Sequence, residues 1–509
     1  MKGVASDSMR RYLWISFLLL VACTPAVTQP SLPTPTRLPG SLSTPSPEWA
    51  DLSPYRAAMR PEFAHEVDRF AQATQYRIDL TLSDSLRSID GRQAVHYVNA
   101  ETVPLDAVYF RILPNTPTYG GETTLAMLRV NGDAVQPQWE LGQSALRVEL
   151  NPPLRPGAAA DFAFDFTTTL PDRSIAPGYD QFGLHRGVLA LPNLYFMIPV
   201  YDEEGWNVEW ASGLGDATYT DTALYQATIT APADQVLAAT GVCQATTGGA
   251  TKTWRCVSGP MRDFMIALSA DYRVESTDAD GVMINSYFLA QDAEAGRAGL
   301  QVAAAALRSY QRRIGPYPFT ELDLLETPTT AGGIEYPGLI VVAAELYDHQ
   351  PTFQEVATAH EVAHQWWYSL VGNDQLDEPW LDEGLTQYTQ VLYYRDVQGE
   401  SAAQTLIERD LRDRYRRVLA VHADWRADLP VTRYSGRQYS SLVYGKAALF
   451  FDALYQQLGD EKFNTFLRTY FEARRYGIAH ADDLLTAAAT QLDRTVIDGL
   501  LRQWITTPE

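Results

Sequence analysis

The chain has 509 residues, with 40 Lys and Arg against 62 Asp and Glu, giving a formal net charge of −22. This acidic balance, without a basic stripe, argues against nucleic-acid partners, and an acidic surface suits a soluble, secreted protein. The length is more than one hydrophobic core usually serves, so more than one domain is expected.

The N-terminus resembles a bacterial lipoprotein signal. Two arginines precede an apolar run over residues 13–22, which is too short to span a bilayer comfortably and is typical of a secretory signal. Small residues then precede Cys23, the expected lipid attachment site. Residues 1–22 are predicted to be the signal peptide, and residues 23–50, rich in Pro, Thr and Ser, an extended tether. The expected location is exported and lipid-anchored to the bacterial cell membrane, on its extracellular or periplasmic side. The alternative is an ordinary signal peptide with an incidental cysteine.

Residues 51–241 are predicted to form an all-β domain. Apolar and polar residues alternate with a period of two in segments such as Tyr76–Leu82, Ala107–Leu113 and Ala160–Phe166. Turn signals, such as the Asn131-Gly132-Asp133 triplet, separate these segments.

Two cysteines remain if Cys23 carries lipid. Cys243 and Cys256 flank a turn at residues 246–249, so a hairpin brings them opposite each other for a disulfide in an oxidising compartment. Two inert buried thiols are the alternative.

Residues 242–509 are predicted to form the second domain. This domain is expected to be mainly helical after residue 290. The helical stretches expected there cover residues 293–314, 403–418 and 445–458. The fold class is therefore α+β and multidomain, with an N-terminal β domain followed by a mainly helical domain.

The most informative motif is His360-Glu361-Val362-Ala363-His364. Its helix is predicted to start near Thr352 and Glu355, which form a possible capping box. Histidines at positions i and i+4 lie on one helix face and can bind one metal ion, while Glu361 can hold a water beside it.

Glu383 completes the predicted metal site. It follows His364 by nineteen residues, in the first turn of a second helix that begins after Pro379 and ends near Gly399. Two histidines and one carboxylate leave one tetrahedral position open, which is the catalytic arrangement. The sequence therefore predicts one Zn²⁺ per chain and a hydrolytic reaction. A chance motif is the alternative.

These motifs resemble one known family. Residues 360–367 (HEVAHQWW) and 380–384 (WLDEG), with their spacing, are similar to the membrane alanyl aminopeptidase family of gluzincins, which includes leukotriene hydrolase. The resemblance implies a saddle-shaped β domain followed by a thermolysin-like catalytic domain. The large helical C-terminal domain of many relatives is expected to be missing.

Two further motifs agree with this resemblance. Residues 332–338 (GGIEYPG) resemble a family segment that forms an edge strand, which implies that Glu335 binds the free amino terminus of the substrate, beside Gly332 and Gly333. A solvated loop carboxylate is the alternative. Residues 444–448 (YGKAA) resemble a segment whose tyrosine stabilises the oxyanion, which implies that role for Tyr444. Tyr439 is a nearby competitor, but it lacks the following lysine.

One departure from the family pattern concerns specificity. The family's first domain usually offers a second Gln or Glu for the substrate amine, but residues 188–192 of this chain have no such side chain. Anchoring of the amine is expected to rest on Glu335 alone, or on Asp202, Glu203 or Glu204.

The predicted function is that of a zinc-dependent metallopeptidase that removes N-terminal residues from peptides or proteins with free amino termini. One alternative is a zinc endopeptidase or another hydrolase with relaxed specificity. The other is a non-catalytic surface-binding lipoprotein that retains the fold.

Overall fold

The computed structural model describes residues 49–173, 175–179, 181–209, 213–215 and 218–508. The predicted signal peptide, Cys23 and nearly all of the predicted tether lie outside the described residues. The described residues all belong to one compact unit. No helix among the described residues combines the length and the apolar character needed to cross a membrane.

The N-terminal part is built from β-sheets, as predicted. An eight-stranded sheet has the order β15-β16-β13-β1-β2-β8-β4-β5, and a three-stranded sheet has the order β3-β7-β6. Alternate residues of the strands are buried, which is why the period of two is visible in the sequence. The first eight strands are β1 (Gln75–Leu82), β2 (Ser88–Val98), β3 (Leu105–Arg111), β4 (Glu122–Val130), β5 (Asp133–Ala134), β6 (Gln138–Glu140), β7 (Ala145–Leu154) and β8 (Ala159–Thr169).

Nine further strands complete these layers. A four-stranded sheet has the order β14-β17-β10-β9, and β11 pairs with β12. The strands are β9 (Gly183–His185), β10 (Val188–Pro192), β11 (Tyr201–Asp202), β12 (Gly205–Trp206), β13 (Leu224–Pro232), β14 (Val236–Ala239), β15 (Val242–Gly248), β16 (Thr251–Val257) and β17 (Met265–Ser269).

The hairpin of β15 and β16 carries the disulfide. Cys243 lies directly opposite Cys256 in the antiparallel register, and the two sulfurs are bonded. Both strands belong to the eight-stranded sheet, so this sheet continues past the predicted division after residue 241. That division stays a prediction.

A third region begins with a five-stranded sheet of order β18-β19-β20-β22-β21. These strands were not predicted from the sequence. The inner strands β20 and β22 are parallel and almost wholly buried. Strand β22 (LIVVA) is a continuous apolar run without alternation, whereas β20 (ELDLLET) carries buried carboxyl groups at Asp323 and Glu326. The strands are β18 (Tyr272–Ala279), β19 (Val282–Leu289), β20 (Glu321–Thr327), β21 (Gly333–Ile334) and β22 (Leu339–Ala343).

Helices make up most of the remaining chain, which confirms the predicted fold class. They are α1 (Ala293–Arg313), α2 (Ala344–Tyr347), α3 (Pro351–Ala363), α4 (Leu385–Val397), α5 (Glu400–Leu406), α6 (Asp413–Leu419), α7 (Gly436–Ser441), α8 (Ala447–Arg474), α9 (Ala481–Ala489) and α10 (Arg494–Leu501). Helix α8 is interrupted at Gly459, where φ is 71°.

Short turns of tighter or wider helix accompany them. The 3₁₀ turns are Ser53–Ala58, Ala64–Phe70, Leu113–Asn115, Leu141–Gln143, Ala290–Asp292 and Val431–Arg433. The π-helical turns are Trp380–Gly384, Ile407–Arg412, Leu442–Lys446 and Arg502–Thr506.

The predicted capping box at the start of α3 is wrong. The helix begins at Pro351, whose fixed φ and missing N–H suit the first helical position, and no side chain caps it. Glu355 instead accepts hydrogen bonds from Tyr393 Oη at 2.9 Å and Gln398 Nε2 at 2.6 Å. Its carboxylate therefore joins α3 to the end of α4.

Candidate metal centre

Helix α3 presents both histidines of the motif to one point. His360 lies in its last turn, and His364 follows its end while keeping helical dihedral angles. The two Nε2 atoms are 3.1 Å apart, and both rings are buried. The predicted spacing on one helix face therefore brings two nitrogen ligands together.

Glu383 supplies the third ligand atom. It lies in the π-helical turn before α4, and its Oε2 is 3.3 Å from the Nε2 atoms of both His360 and His364. Inserted π turns are frequent at functional sites because they re-aim a side chain. One ligand atom from each residue lies within 4.8 Å of those of the others, so the three can hold one metal ion.

Backbone contacts orient the second histidine. His364 Nδ1 lies 2.9 Å from the carbonyl oxygen of Trp367, which can only accept a hydrogen bond. Nδ1 therefore carries the proton, and the lone pair of Nε2 is directed at the other ligands.

The ionisable side chains of the site shift one another's pKa values strongly. Burial raises the pKa of Glu361 well above its usual value, and Glu335 adds to this effect although His364 opposes it. Burial alone lowers the pKa of His364, but Glu335 and Glu383 raise it well above its usual value. Burial opposes ionisation of Glu383, yet its bonds to both histidines leave its pKa lowered. Carboxylates thus outnumber the cations here, which is the environment of a divalent metal site.

Glu361 has an oxygen available for chemistry. Its Oε2 is buried and hydrogen-bonds to no described residue. The backbone of Gly333 lies against the same carboxylate, since a Cβ added at Gly333 would be 2.3 Å from Oε1. Any side chain at Gly333 would displace Glu361, which explains why glycine occupies this position.

Glu335 lies directly after the edge strand β21, close to Glu361 and His364. The resemblance implied an edge strand for this segment, and β21 pairs only with β22 in the sheet order. Two glutamines not identified from the sequence position it. Gln365 accepts from the N–H of Gly338 at 2.8 Å and donates to the carbonyl of Tyr336 at 3.2 Å.

The second glutamine, Gln375, links two parts of the site. Its Nε2 donates to Glu335 Oε1 and to Asp382 Oδ2, each at 2.9 Å. Asp382 Oδ1 accepts from the N–H of Glu383, and burial raises the pKa of Asp382 to about 7. Gln375 thereby holds Glu335 in a fixed relation to the turn that carries Glu383.

Tyr444 contacts the ligands, whereas Tyr439 does not. The hydroxyl of Tyr444 donates to Glu383 Oε1, and its ring lies 6.0 Å from that of His360 at an angle of 26°. Tyr444 belongs to a second π-helical turn, before α8. Tyr439 lines the same cavity with its hydroxyl beside Gly215.

These side chains surround one cavity of about 460 Å³. From the β-rich part, the described residues that line it are Tyr179 and the segment 213–215, none of which carries a charge. Asp202, Glu203 and Glu204 are not among the lining residues. The remaining lining residues are Gly332, Gly333, Glu335, Leu346, Phe353, Val356, Ala357, His360, Glu361, His364, Glu383, Gln387, Gln390, Arg414, Tyr439, Ser440 and Tyr444.

The arrangement combines a three-ligand metal site, a general base and a hydroxyl donor within one cavity. This combination can activate water and stabilise an oxyanion, which is the chemistry of amide hydrolysis.

Residues 299–504 match the model of the peptidase family M1 domain. Aminopeptidase M1 of Arabidopsis thaliana is 28% identical over 247 residues, covering 45% of this chain and 27% of the relative. Aminopeptidase N of Lactobacillus delbrueckii subsp. lactis is 28% identical over 229 residues, covering 41% of this chain and 26% of the relative. The matches thus span only about a quarter of these relatives' length.

The fold is also similar to that of a solved structure. The crystal structure of an M1 zinc metallopeptidase from Deinococcus radiodurans matches with a TM-score of 0.62 and 20% identity, covering 86% of this chain and 96% of that one. The similarity therefore includes both the β-rich and the helical parts.

The geometry predicts that His364→Ala loses bound metal. Removal of one of three ligands leaves two donors, so zinc content measured by elemental analysis should fall from about one per chain toward zero. His65→Ala, a change at an exposed position, is the control and should keep its metal. Full zinc content in His364→Ala would contradict the assignment.

Proposed function

We propose that the chain is a zinc-dependent aminopeptidase of peptidase family M1, whose domain model matches residues 299–504. The observation that carries this proposal is the convergence of His360, His364 and Glu383 beside the unpartnered carboxylate oxygen of Glu361. A zinc ion bound there supplies Lewis acidity, which polarises a carbonyl group and makes water more acidic.

Glu361 is the general base in this proposal. Its raised pKa suits a group that accepts a proton from water and later returns it to the leaving amine. In this structure the single hydroxyl hydrogen of Tyr444 is donated to Glu383, which places the hydroxyl beside the ligands. In the reaction that hydrogen turns from Glu383 to the developing oxyanion.

Glu335 binds the ammonium group of the substrate in this proposal. The residue is 4% exposed and its carboxylate is held by Gln375, so an ion pair formed there is largely shielded from water. Among the described residues that line the cavity, the β-rich part offers no second carboxylate. This observation keeps relaxed specificity, including endopeptidase cleavage, as the second candidate function.

We further propose that the protein is exported and anchored by lipid at Cys23. The support is the sequence alone, namely a short apolar run that ends in small residues before Cys23 and precedes a Pro-, Thr- and Ser-rich segment.

Lipidation predicts that Cys23→Ser leaves the membrane fraction or keeps its signal peptide. Membrane fractionation and mass spectrometry of the mature N-terminus provide the measurement. Cys243→Ser is the comparison, because it removes a cysteine from the disulfide hairpin without touching the proposed anchor. An unmodified Cys23 in the mature protein would refute the proposal.

Glu361→Gln is expected to keep zinc but to lose turnover. The amide has the shape of the carboxylate but cannot accept the proton of water, so kcat should fall by roughly 10²- to 10⁴-fold. The measurement is hydrolysis of an aminoacyl arylamide by protein of known zinc content. Turnover near that of the unmodified protein would exclude Glu361 as the base.

Glu335→Ala is expected to remove most of the preference for free amino termini. The ratio of kcat/KM for a peptide to that of its N-acetylated form should fall by roughly ten- to a hundredfold, because an ion pair is lost. Glu345→Ala, on the exposed face of α2, is the matched control. If the ratio is unchanged in Glu335→Ala, another group binds the amine.

A further inference from the structure

One cation in the cavity has no role in the proposed chemistry. Arg414 lies in α6, and its guanidinium carbon is 5.5 Å from the centre of the Tyr444 ring. Of the described residues that line the cavity, Arg414 alone carries a permanent positive charge. Burial lowers the pKa of Arg414, but an arginine side chain remains charged in proteins.

The two carboxylates close to Arg414 in the sequence, those of Asp410 and Asp413, are paired with other arginines, and Glu383 contacts the histidines. Asp410 receives two bonds from Arg409, at 2.6 and 2.7 Å, and Asp413 binds Arg416 at 2.6 Å. No hydrogen bond or ion pair joins Arg414 to any residue of the described chain. A guanidinium whose N–H groups have no acceptor in the described chain can donate them to an anion in the cavity.

The position of Arg414 in the cavity indicates where that anion belongs. Glu335 is grouped with Glu361 and His364. Tyr444 instead contacts His360 and Glu383, and Arg414 lies on the ring of Tyr444. With the substrate ammonium at Glu335, the residues beyond the scissile bond extend toward Arg414. This step depends on the proposed aminopeptidase function.

We propose that Arg414 binds a carboxylate on the leaving-group side of the substrate and thereby sets specificity. An extended residue spans about 3.5 Å, so the C-terminal carboxylate of a di- or tripeptide lies within two such lengths of the scissile carbonyl. The planar guanidinium can bind it with two parallel hydrogen bonds. An Asp or Glu side chain just after the scissile bond offers the same group. The substrates selected are therefore short peptides with a free C-terminus, or peptides with an acidic residue after the cleaved bond.

The experiment compares kcat/KM for three substrates: Leu-Ala, Leu-Ala amide and Leu-Asp amide. The zinc-loaded protein should prefer Leu-Ala to its amide by roughly ten- to a hundredfold. In Arg414→Gln this preference should disappear while turnover of Leu-Ala amide stays within about threefold. Arg414→Lys should restore part of the preference, since the positive charge is kept but the planar guanidinium with its paired N–H donors is lost.

The third substrate separates the two sources of the carboxylate. If Leu-Asp amide is also preferred to Leu-Ala amide, and Arg414→Gln abolishes this preference, a side-chain carboxylate can occupy the site. If only Leu-Ala is preferred, the site selects the C-terminus. Arg417→Gln, at an exposed position of the same helix, is the matched control and should change no ratio.

Two results would overturn the proposal while leaving aminopeptidase activity intact. One is equal turnover of Leu-Ala and Leu-Ala amide by the unmodified protein. The other is an equal loss for all three substrates in Arg414→Gln, which would mean that Arg414 only supports Tyr444. Absence of turnover with every substrate in zinc-loaded protein would instead refute the aminopeptidase function together with this inference.

Discussion

Excess negative charge in a buried cavity is the constraint on which the site depends. Glu335, Glu361 and Glu383 are each at most 5% exposed, and among the described residues of the cavity their positively chargeable neighbours are His360, His364 and Arg414. Buried carboxylates without compensating cations are strongly unfavourable. A divalent ion at the histidines offsets part of this charge. In the proposed function, the substrate ammonium balances the charge of Glu335, so metal binding and substrate selection depend on the same excess of carboxylates.

The fold satisfies this constraint by bringing together three elements that are distant in the sequence. Helix α3 carries the histidines, a π turn carries Glu383, and the edge strand β21 leads to Glu335. Glutamines connect them, because a neutral amide carries two N–H donors and an acceptor oxygen without adding charge. Gln365 ties α3 to the segment after β21, and Gln375 ties Glu335 to Asp382.

The metal ligands could be predicted from the sequence because their spacing is a local property of helices. His360 and His364 are one turn apart, so no tertiary information is needed to place them together. Gln375 lies in a loop and Arg414 on helix α6, and neither residue type nor spacing distinguishes them. The π turns at Glu383 and Tyr444 could not be predicted either, since a single inserted residue leaves the helical pattern intact. Strand β22 was missed because burial on both faces removes the alternation that identifies a strand.

The β-rich part contributes to the site by holding a strained turn in the helical part. Its described residues supply none of the three metal ligands. Tyr368 follows the histidine helix with φ at 117°, a conformation that is unfavourable for a bulky residue and persists only when surrounding contacts hold it. Arg262, just before β17, supplies such contacts: Nε donates to the Tyr368 carbonyl at 2.8 Å and Nη1 to the Thr220 carbonyl at 3.0 Å. The hydroxyl of Tyr368 also donates to Asp263.

This turn also includes the Trp367 carbonyl that fixes the orientation of His364. The direction of a metal-binding nitrogen therefore depends on contacts with the β-rich part. Among the described residues, those of the β-rich part that line the cavity are uncharged. The dependence of His364 on contacts with the β-rich part therefore gives a separate physical reason for the two parts to pack as one unit.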